Sequence, residues 1–269
     1  HGVVEGVAEP RLPVLVLVAQ LEPPGLELVE PRSGVGLAVA LAGRHPRLDI
    51  ELLDLGLPEV AAADVDDPVG QPESLEHLLR VLRDVEMVLV DAGCELEYYA
   101  SDVTRTFPVN GRFSREQRAL YEIVLQAQLA AIEAVKPGNN WNEPHDASVR
   151  VITEGLLDLG LLKGGLKRQI ERETYREFYM HRVGHWLGLD VHDVGDYRVG
   201  DEWRQLEPGM VMTVEPGIYV SPHNTRVARK WRGLGIRLED DVLVTAKGCD
   251  VLTAAVPKTV DGIEEQMAG

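Results

Sequence analysis

Residues 1 to 83 contain no Phe, Tyr, Trp, Lys, Asn, Thr, Cys or Met, and a single isoleucine, Ile50. Aromatic side chains contribute heavily to core burial. A segment that omits them while holding nine of the sixteen prolines is expected to form a weak core from short elements. Two stretches keep helix-compatible spacing, "SGVGLAVALAG" at 33–43 and "PESLEHLLRVLRD" at 72–84. In the second, Ser74 can cap while Leu75, Leu78, Leu79 and Leu82 share a face. Two readings of this segment stay open: a GC-biased linker or small subdomain, or a frame error or truncation that replaced the original N-terminal part, which the start at His1 favours.

The chain as a whole is short of cysteine, of positive charge and of long apolar runs. Cys94 and Cys249 cannot build a disulfide framework for 269 residues and give no CxxC pair, which points to a reducing, cytoplasmic setting. A net charge of −17 and a pI near 4.9 oppose binding to nucleic acid or an acidic membrane, because repulsion acts on every encounter. The most apolar early run, "PVLVLVAQL" at 13–21, is about half of the ~20 residues that span a bilayer, and Glu5, Glu9 and Glu22 flank it. Neither a signal peptide nor a membrane anchor is expected. The "GVG" at 34–36 lacks the third glycine of a dinucleotide fingerprint, with Val39 in its place, so a nucleotide-binding reading carries little.

From Asp84 the texture changes to that of an ordinary enzyme, and the chain divides into an atypical segment, 1–83, and a domain, 84–269. "VEMVLVDAG" predicts a buried strand ending at Asp91, and "YYASDVTRTFPVNG" a second strand with Asp102 near its start and a turn at Asn110-Gly111. "SREQRALYEIVLQAQLAAIEAVKPG" predicts a helix opened by a Ser114/Gln117 capping box and stopped by Pro137-Gly138, with Leu120, Ile123, Val124, Ala127, Ala131 and Ala134 on its apolar face. A second helix is expected over about Glu143 to Leu161. Strands and tight turns are expected within 176–195, 206–220 and 233–245.

Asp91, Asp102, His185, Glu215 and Glu239 interrupt these apolar runs where a buried charge without a partner is costly. Taken singly, each is more economically a turn cap or a salt-bridged group. Clustered, four carboxylates repel one another unless positive charge sits among them, and a pair of divalent cations supplies it. Four acids and one imidazole suit Mn²⁺ or Co²⁺ and tolerate Zn²⁺, with two ions about 3.5–4 Å apart.

The stretches "DAGCELEYYASDVTRTFPVNG", "HRVGHWLGLDVHDVG", "LEPGMVMTVEPGIYV" and "GIRLEDDVLVT" occur in that order. Together, from Val90 to about Thr245, they resemble the metallopeptidase family with the pita-bread fold, which holds methionine aminopeptidases, prolidases and Xaa-Pro aminopeptidases. The resemblance implies an α+β pita-bread fold. It implies Asp91, Asp102, His185, Glu215 and Glu239 as ligands, Asp102 and Glu239 bridging two metal ions, with Mn²⁺ foremost. It implies His181 and His192 as non-ligand histidines of the substrate pocket, His192 near the scissile carbonyl. Arg237, two residues before a ligand, is expected to orient Glu239 or a substrate carboxylate.

The reaction so implied is metal-assisted amide hydrolysis: a bridging hydroxide attacks the peptide carbonyl, His192 helps stabilise the oxyanion, and Glu215 carries the proton towards the leaving amine. "VHDVG" and the short connection from Val220 to Gly233 resemble bacterial Xaa-Pro aminopeptidases more than prolidases. Peptides with proline second are the implied substrates, a prolidase being the neighbouring reading. An imide nitrogen carries no hydrogen, so a shaped apolar and imidazole pocket, to which Trp186, Tyr98 and Tyr99 could add walls, must do the recognising. Many relatives assemble into dimers or tetramers through a preceding domain that is not recognisable here, so a homo-oligomer stays open. Upstream, the chain departs from the pattern: His77 in "LEHLLRV" does not match the family's substrate histidine, and Val85 stands where glycine is frequent. A remnant that keeps the ligands without activity is therefore the third reading.

Overall fold

The computed structural model describes residues 14–21 and 86–268. The helices expected at 33–43 and 72–84, and the "GVG" stretch, lie outside the described residues. The apolar run "MVLV" opens β2, Met87–Leu96, which pairs in parallel with β1, Val14–Leu21, and antiparallel with β4, Val103–Pro108. β2 does not stop at Asp91 as its apolar run predicts. It continues to Leu96 because a two-residue hairpin to β3, Tyr99–Ala100, extends the pairing, with Glu97 and Tyr98 both at positive φ, the conformation that the right-handed strand twist favours at such a turn.

Helix α1, Arg115–Ala134, is capped as its sequence predicts: the Ser114 hydroxyl accepts the Gln117 N–H, and the Gln117 side chain returns to the Ser114 N–H. It packs beside α2, Asn142–Asp158, which ends three residues short of the expected Leu161. Leu120, Tyr121 and Val124 of α1 and Ile152 and Leu156 of α2 share one core with Met87, Ile218, Ile236 and Leu238. A second core places Ala131 and Val135, at the far end of α1, against Trp186, Met212, Val214 and Val242. Further on lie a short helix α3, Leu166–Glu171, and the pair β5, Arg198–Val199, and β6, Glu202–Trp203. Among the described residues no helix is long and apolar enough to cross a membrane.

The strands that carry the remaining acids are β7, Val211–Val214, β8, Gly217–Tyr219, β9, Gly235–Arg237, and β10, Asp240–Val244. β10 lies between β7 and β11, Cys249–Val251, and the chain then folds into α4, Val260–Met267. Alternation along 236–239 sends Ile236 and Leu238 into the helix-packed core and Arg237 and Glu239 to the other face.

Residues 176–195 are not strands, against expectation. The segment 183–187 runs along β7, with Glu215 N–H on the Val183 carbonyl, Thr213 N–H on the His185 carbonyl and a single bridge between Trp186 and Met212. The ladder breaks because the His185 N–H is taken by the Thr213 hydroxyl (3.1 Å) rather than by a main-chain carbonyl. Gly184 is required here: a Cβ at that position would lie 1.9 Å from the Thr213 carbonyl oxygen.

Behind the face that carries Glu239, Arg105 spends all five of its N–H groups. They go to the carbonyls of Pro257, Thr104, Glu239 and Val256 and to Asp240 Oδ1. Asp240 also takes Lys258 Nζ (2.6 Å) and the Thr253 hydroxyl (2.7 Å). Replacing Arg105 by methionine removes the donor to the Pro257, Glu239 and Val256 carbonyls and leaves Asp240 with Lys258 as its one cation among the described residues, and should cost about 3 kcal/mol, the low end of the range for breaking a buried ion pair from one side. In urea this would read as a lower midpoint at unchanged slope.

Candidate active site

Asp91 lies on β2 directly across from Thr104 of β4, and Asp102 sits immediately before β4. This pairing brings two carboxylates eleven residues apart to one place. Glu239 joins them because its N–H donates to the Thr104 carbonyl (3.0 Å) and its Oε2 accepts the Thr104 hydroxyl (2.6 Å). His185 and Glu215 arrive from the segments on either side of Thr213, whose hydroxyl accepts the His185 N–H and donates to Glu215 Oε1 (3.4 Å).

His185 Nδ1 meets the Trp186 carbonyl at 3.0 Å. A carbonyl only accepts, so Nδ1 carries the hydrogen and the Nε2 lone pair of the neutral ring faces Asp102 Oδ2 (3.5 Å) and Glu215 Oε1 (3.7 Å). One donor atom each from Asp102, His185 and Glu239 lie within 4.8 Å of one another.

The electrostatics are those of a cation site. Burial, partly offset by Arg237 and reinforced by Asp102 and Glu215, raises Asp91 to about 7. Glu239, 1% exposed, is held well above the ordinary carboxylate range by burial and then by Glu215, Asp102 and Asp91. Burial lowers the affinity of His185 for a proton, but Asp102, the Trp186 carbonyl and Glu215 outweigh it and shift the ring upward. Four carboxylates converge with one guanidinium, Arg237, leaving three negative charges unbalanced when all are ionised. An oxygen-rich set with one imidazole, short of positive charge and with its imidazole lone pair already aimed inward, fits divalent cations.

Arg237 does not touch Glu239 directly. Its Nη2 bonds to Asp91 Oδ2 and its Nε donates to Thr104 Oγ1 (3.2 Å), so it reaches Glu239 through the threonine hydroxyl. His181 lies at one side with both ring nitrogens engaged, Nδ1 with the Arg182 carbonyl (2.8 Å) and Nε2 with the Tyr219 hydroxyl (3.0 Å). It is neutral, since burial lowers its pKa, and Nε2 accepts the tyrosine hydrogen. His192 is exposed at the other side, its ring 4.5 Å from that of His185 and nearly perpendicular to it. Trp186 is buried in the second core rather than at the mouth, whereas Tyr98 and Tyr99 stand exposed on the hairpin.

Sequence reasoning missed Thr104, Thr213, Tyr219 and Asp241. The hydrogen bonds that draw the two threonines and Asp241 into the site join residues far apart in the chain or depend on strand register. Only the alternation in "VTRTF" and "VMTVEP" hinted that polar residues face the acids.

The profile of metallopeptidase family M24 matches residues 61–246. The chain belongs to metallopeptidase family M24. The M24 match begins within the aromatic-free segment, upstream of Asp84. An Xaa-Pro aminopeptidase of Haemophilus influenzae is 55% identical over 188 residues, 70% of this chain and 43% of that protein. The human Xaa-Pro dipeptidase is 39% identical over 218 residues, 71% of this chain and 44% of that protein. The solved structure of Pseudomonas aeruginosa aminopeptidase PepP superposes with a TM-score of 0.69 at 64% identity, over 70% of this chain and 42% of that one. This M24 chain thus spans less than half the length of these relatives. Its fold is the α+β pita-bread that the motifs imply.

Proposed function

We propose that this M24 chain is a metal-dependent aminopeptidase that releases an N-terminal residue preceding proline. The observation that carries the reading is the convergence of Asp102, His185 and Glu239, with Asp91 and Glu215 beside them, in a chain 55% identical to an Xaa-Pro aminopeptidase. The weaker likeness to a dipeptidase, 39%, keeps prolidase as the second reading.

In this proposal Asp91, Asp102, His185, Glu215 and Glu239 would hold two divalent ions, with Mn²⁺ the preferred metal over Co²⁺ or Zn²⁺. When bound, such a pair acidifies a water and polarises the scissile carbonyl. The protein's own residues do the rest. Glu215, whose Oε1 lies 3.7 Å from His185 Nε2, would take a proton from the nucleophilic water and pass it to the leaving imide nitrogen. His192, exposed beside His185, donates to the developing oxyanion. His181 presents its ring rather than a free nitrogen, which suits an apolar pyrrolidine wall. Arg237 holds Asp91 and steadies Glu239 through Thr104.

The proposal extends to a catalytic domain at 84–269, a reducing cytoplasmic setting consistent with the free thiols Cys94 and Cys249, and a homo-oligomer. The test is hydrolysis of Ala-Pro-Ala against Ala-Pro with added Mn²⁺, followed by chromatography of released alanine. Release from the tripeptide is expected. Cleavage of the dipeptide alone would make the protein a prolidase, and no cleavage by folded, Mn²⁺-binding protein would make it a remnant.

A further inference from the structure

The geometry points to Asp241 as a positioning residue that fixes the angle at which Asp102 presents its carboxylate to a bound cation. The inference rests on the metallopeptidase reading above.

Asp102 lies between two paired stretches of the β2 hairpin: Val103 stands opposite Ala92, and the Ser101 N–H donates to the Cys94 carbonyl (2.8 Å), so the alternation of the ladder turns the Asp102 N–H away from β2. Asp102 is itself buried, and an unmet buried N–H is costly. Its hydrogen goes to Asp241 Oδ2 at 3.1 Å, across 139 residues of chain. A side-chain acceptor thus satisfies the donor on the edge of the chain that faces away from β2.

Asp241 is itself fixed through its main chain. Its N–H donates to the Thr253 hydroxyl (3.2 Å), its carbonyl accepts the Leu252 N–H (2.8 Å), and on β10 it stands directly across from Thr213 of β7. Thr213 is the residue whose hydroxyl organises His185 and Glu215. The cross-strand pair Asp241 and Thr213 therefore references three of the proposed ligands, Asp102, His185 and Glu215, to one backbone register.

The second oxygen argues that this carboxylate is not there for stability. Asp241 is 2% exposed, yet its Oδ1 has no hydrogen-bond partner among the described residues. A buried carboxylate with one oxygen unmet loses hydration without full return. Its positioning of Asp102 gives it a function that burial alone does not.

Two variants separate the acceptor from the charge. Asp241→Asn keeps an oxygen for the Asp102 N–H, and Asp241→Ala removes it. In metal-free protein, NMR exchange of the Asp102 amide is expected to stay within about threefold of wild type in the first and to quicken at least about tenfold in the second. Calorimetric titration with Mn²⁺ alone should show an affinity loss of about 10–100-fold for Asp241→Ala, and of less than about tenfold for Asp241→Asn. Wild-type Mn²⁺ affinity in Asp241→Ala overturns the inference. So does equal weakening in both variants, which would assign the effect to charge. If the alanine variant does not fold, Asp241→Asn decides: a loss beyond about tenfold with the Asp102 amide still protected overturns it. If wild type binds no Mn²⁺, the metallopeptidase reading fails, while amide exchange still reports whether Asp241 holds Asp102.

Discussion

Glu239→Gln is expected to lower kcat/KM by at least about 10³-fold and, in the same protein stripped of metal, to raise the melting temperature. The first effect follows if Glu239 is a metal ligand as proposed: a bound cation contributes several kcal/mol to the transition state, and each ~1.4 kcal/mol is tenfold in rate. The second follows from the company Glu239 keeps. It is buried against Asp91, Asp102 and Glu215, and Arg237, whose charge offsets part of that repulsion, is committed to Asp91 and Thr104. Glutamine is nearly isosteric, and its oxygen can still accept the Thr104 hydrogen, so the change relieves repulsion at little cost in packing. An acid kept for structure would behave in the opposite way, with a lower melting point and a modest loss of rate. Scanning calorimetry in EDTA near pH 8, beside peptide hydrolysis with Mn²⁺, distinguishes the two patterns.

Metal-free protein should lose stability as pH rises from about 6.5 to about 8.5, and Mn²⁺ should reverse the trend. The sign comes from groups that bind protons more tightly folded than unfolded. Asp91 and Asp241 are both raised to about 7, the latter by burial and then by the neighbouring acids, and Glu239 and His185 are raised too. The stability each contributes is present below its unfolded pKa and is lost as pH climbs through the folded value. His181 and His145 act in the other direction, their pKa values being lowered: their unfolded rings are still half-protonated near ~6.5, so they offset part of the fall at the start of the window and drop out by about 7.5. A cation that competes with those protons binds more tightly as they leave, so its stabilisation grows with pH. Urea unfolding at both pH values, with and without Mn²⁺, measures this. Metal-free stability that rises across the window would contradict the buried-acid cluster.

What could be read in advance was whatever local chemistry signals. Ser114 and Gln117 announce the start of α1 on their own, because a capping box closes within four residues. The acids that break apolar strands could be picked out because burial makes a lone carboxylate costly wherever it occurs. The residues that aim those acids were hidden, because a threonine in a strand is unremarked until register sets it opposite a glutamate. Thr104 meets Glu239 across 135 residues, and nothing near either one encodes the meeting. The segment 176–195 differs for a related reason: its short apolar runs between glycines suit strands, but at His185 the Thr213 hydroxyl takes the N–H that a ladder would have used. The extension of β2 past Asp91 went unseen because Glu97 and Tyr98 are not residues that advertise a left-handed turn.

Gly184 bears on ion size as well as on packing. The Thr213 carbonyl oxygen occupies the space where any other residue would carry its first side-chain carbon, and the segment leading to His185 is pressed onto the strand leading to Glu215. The gap between imidazole and carboxylate is thereby set by a hydrogen atom one residue before the histidine. For the cation proposed between them, the spacing of two of its donors would then depend on a position that never touches it.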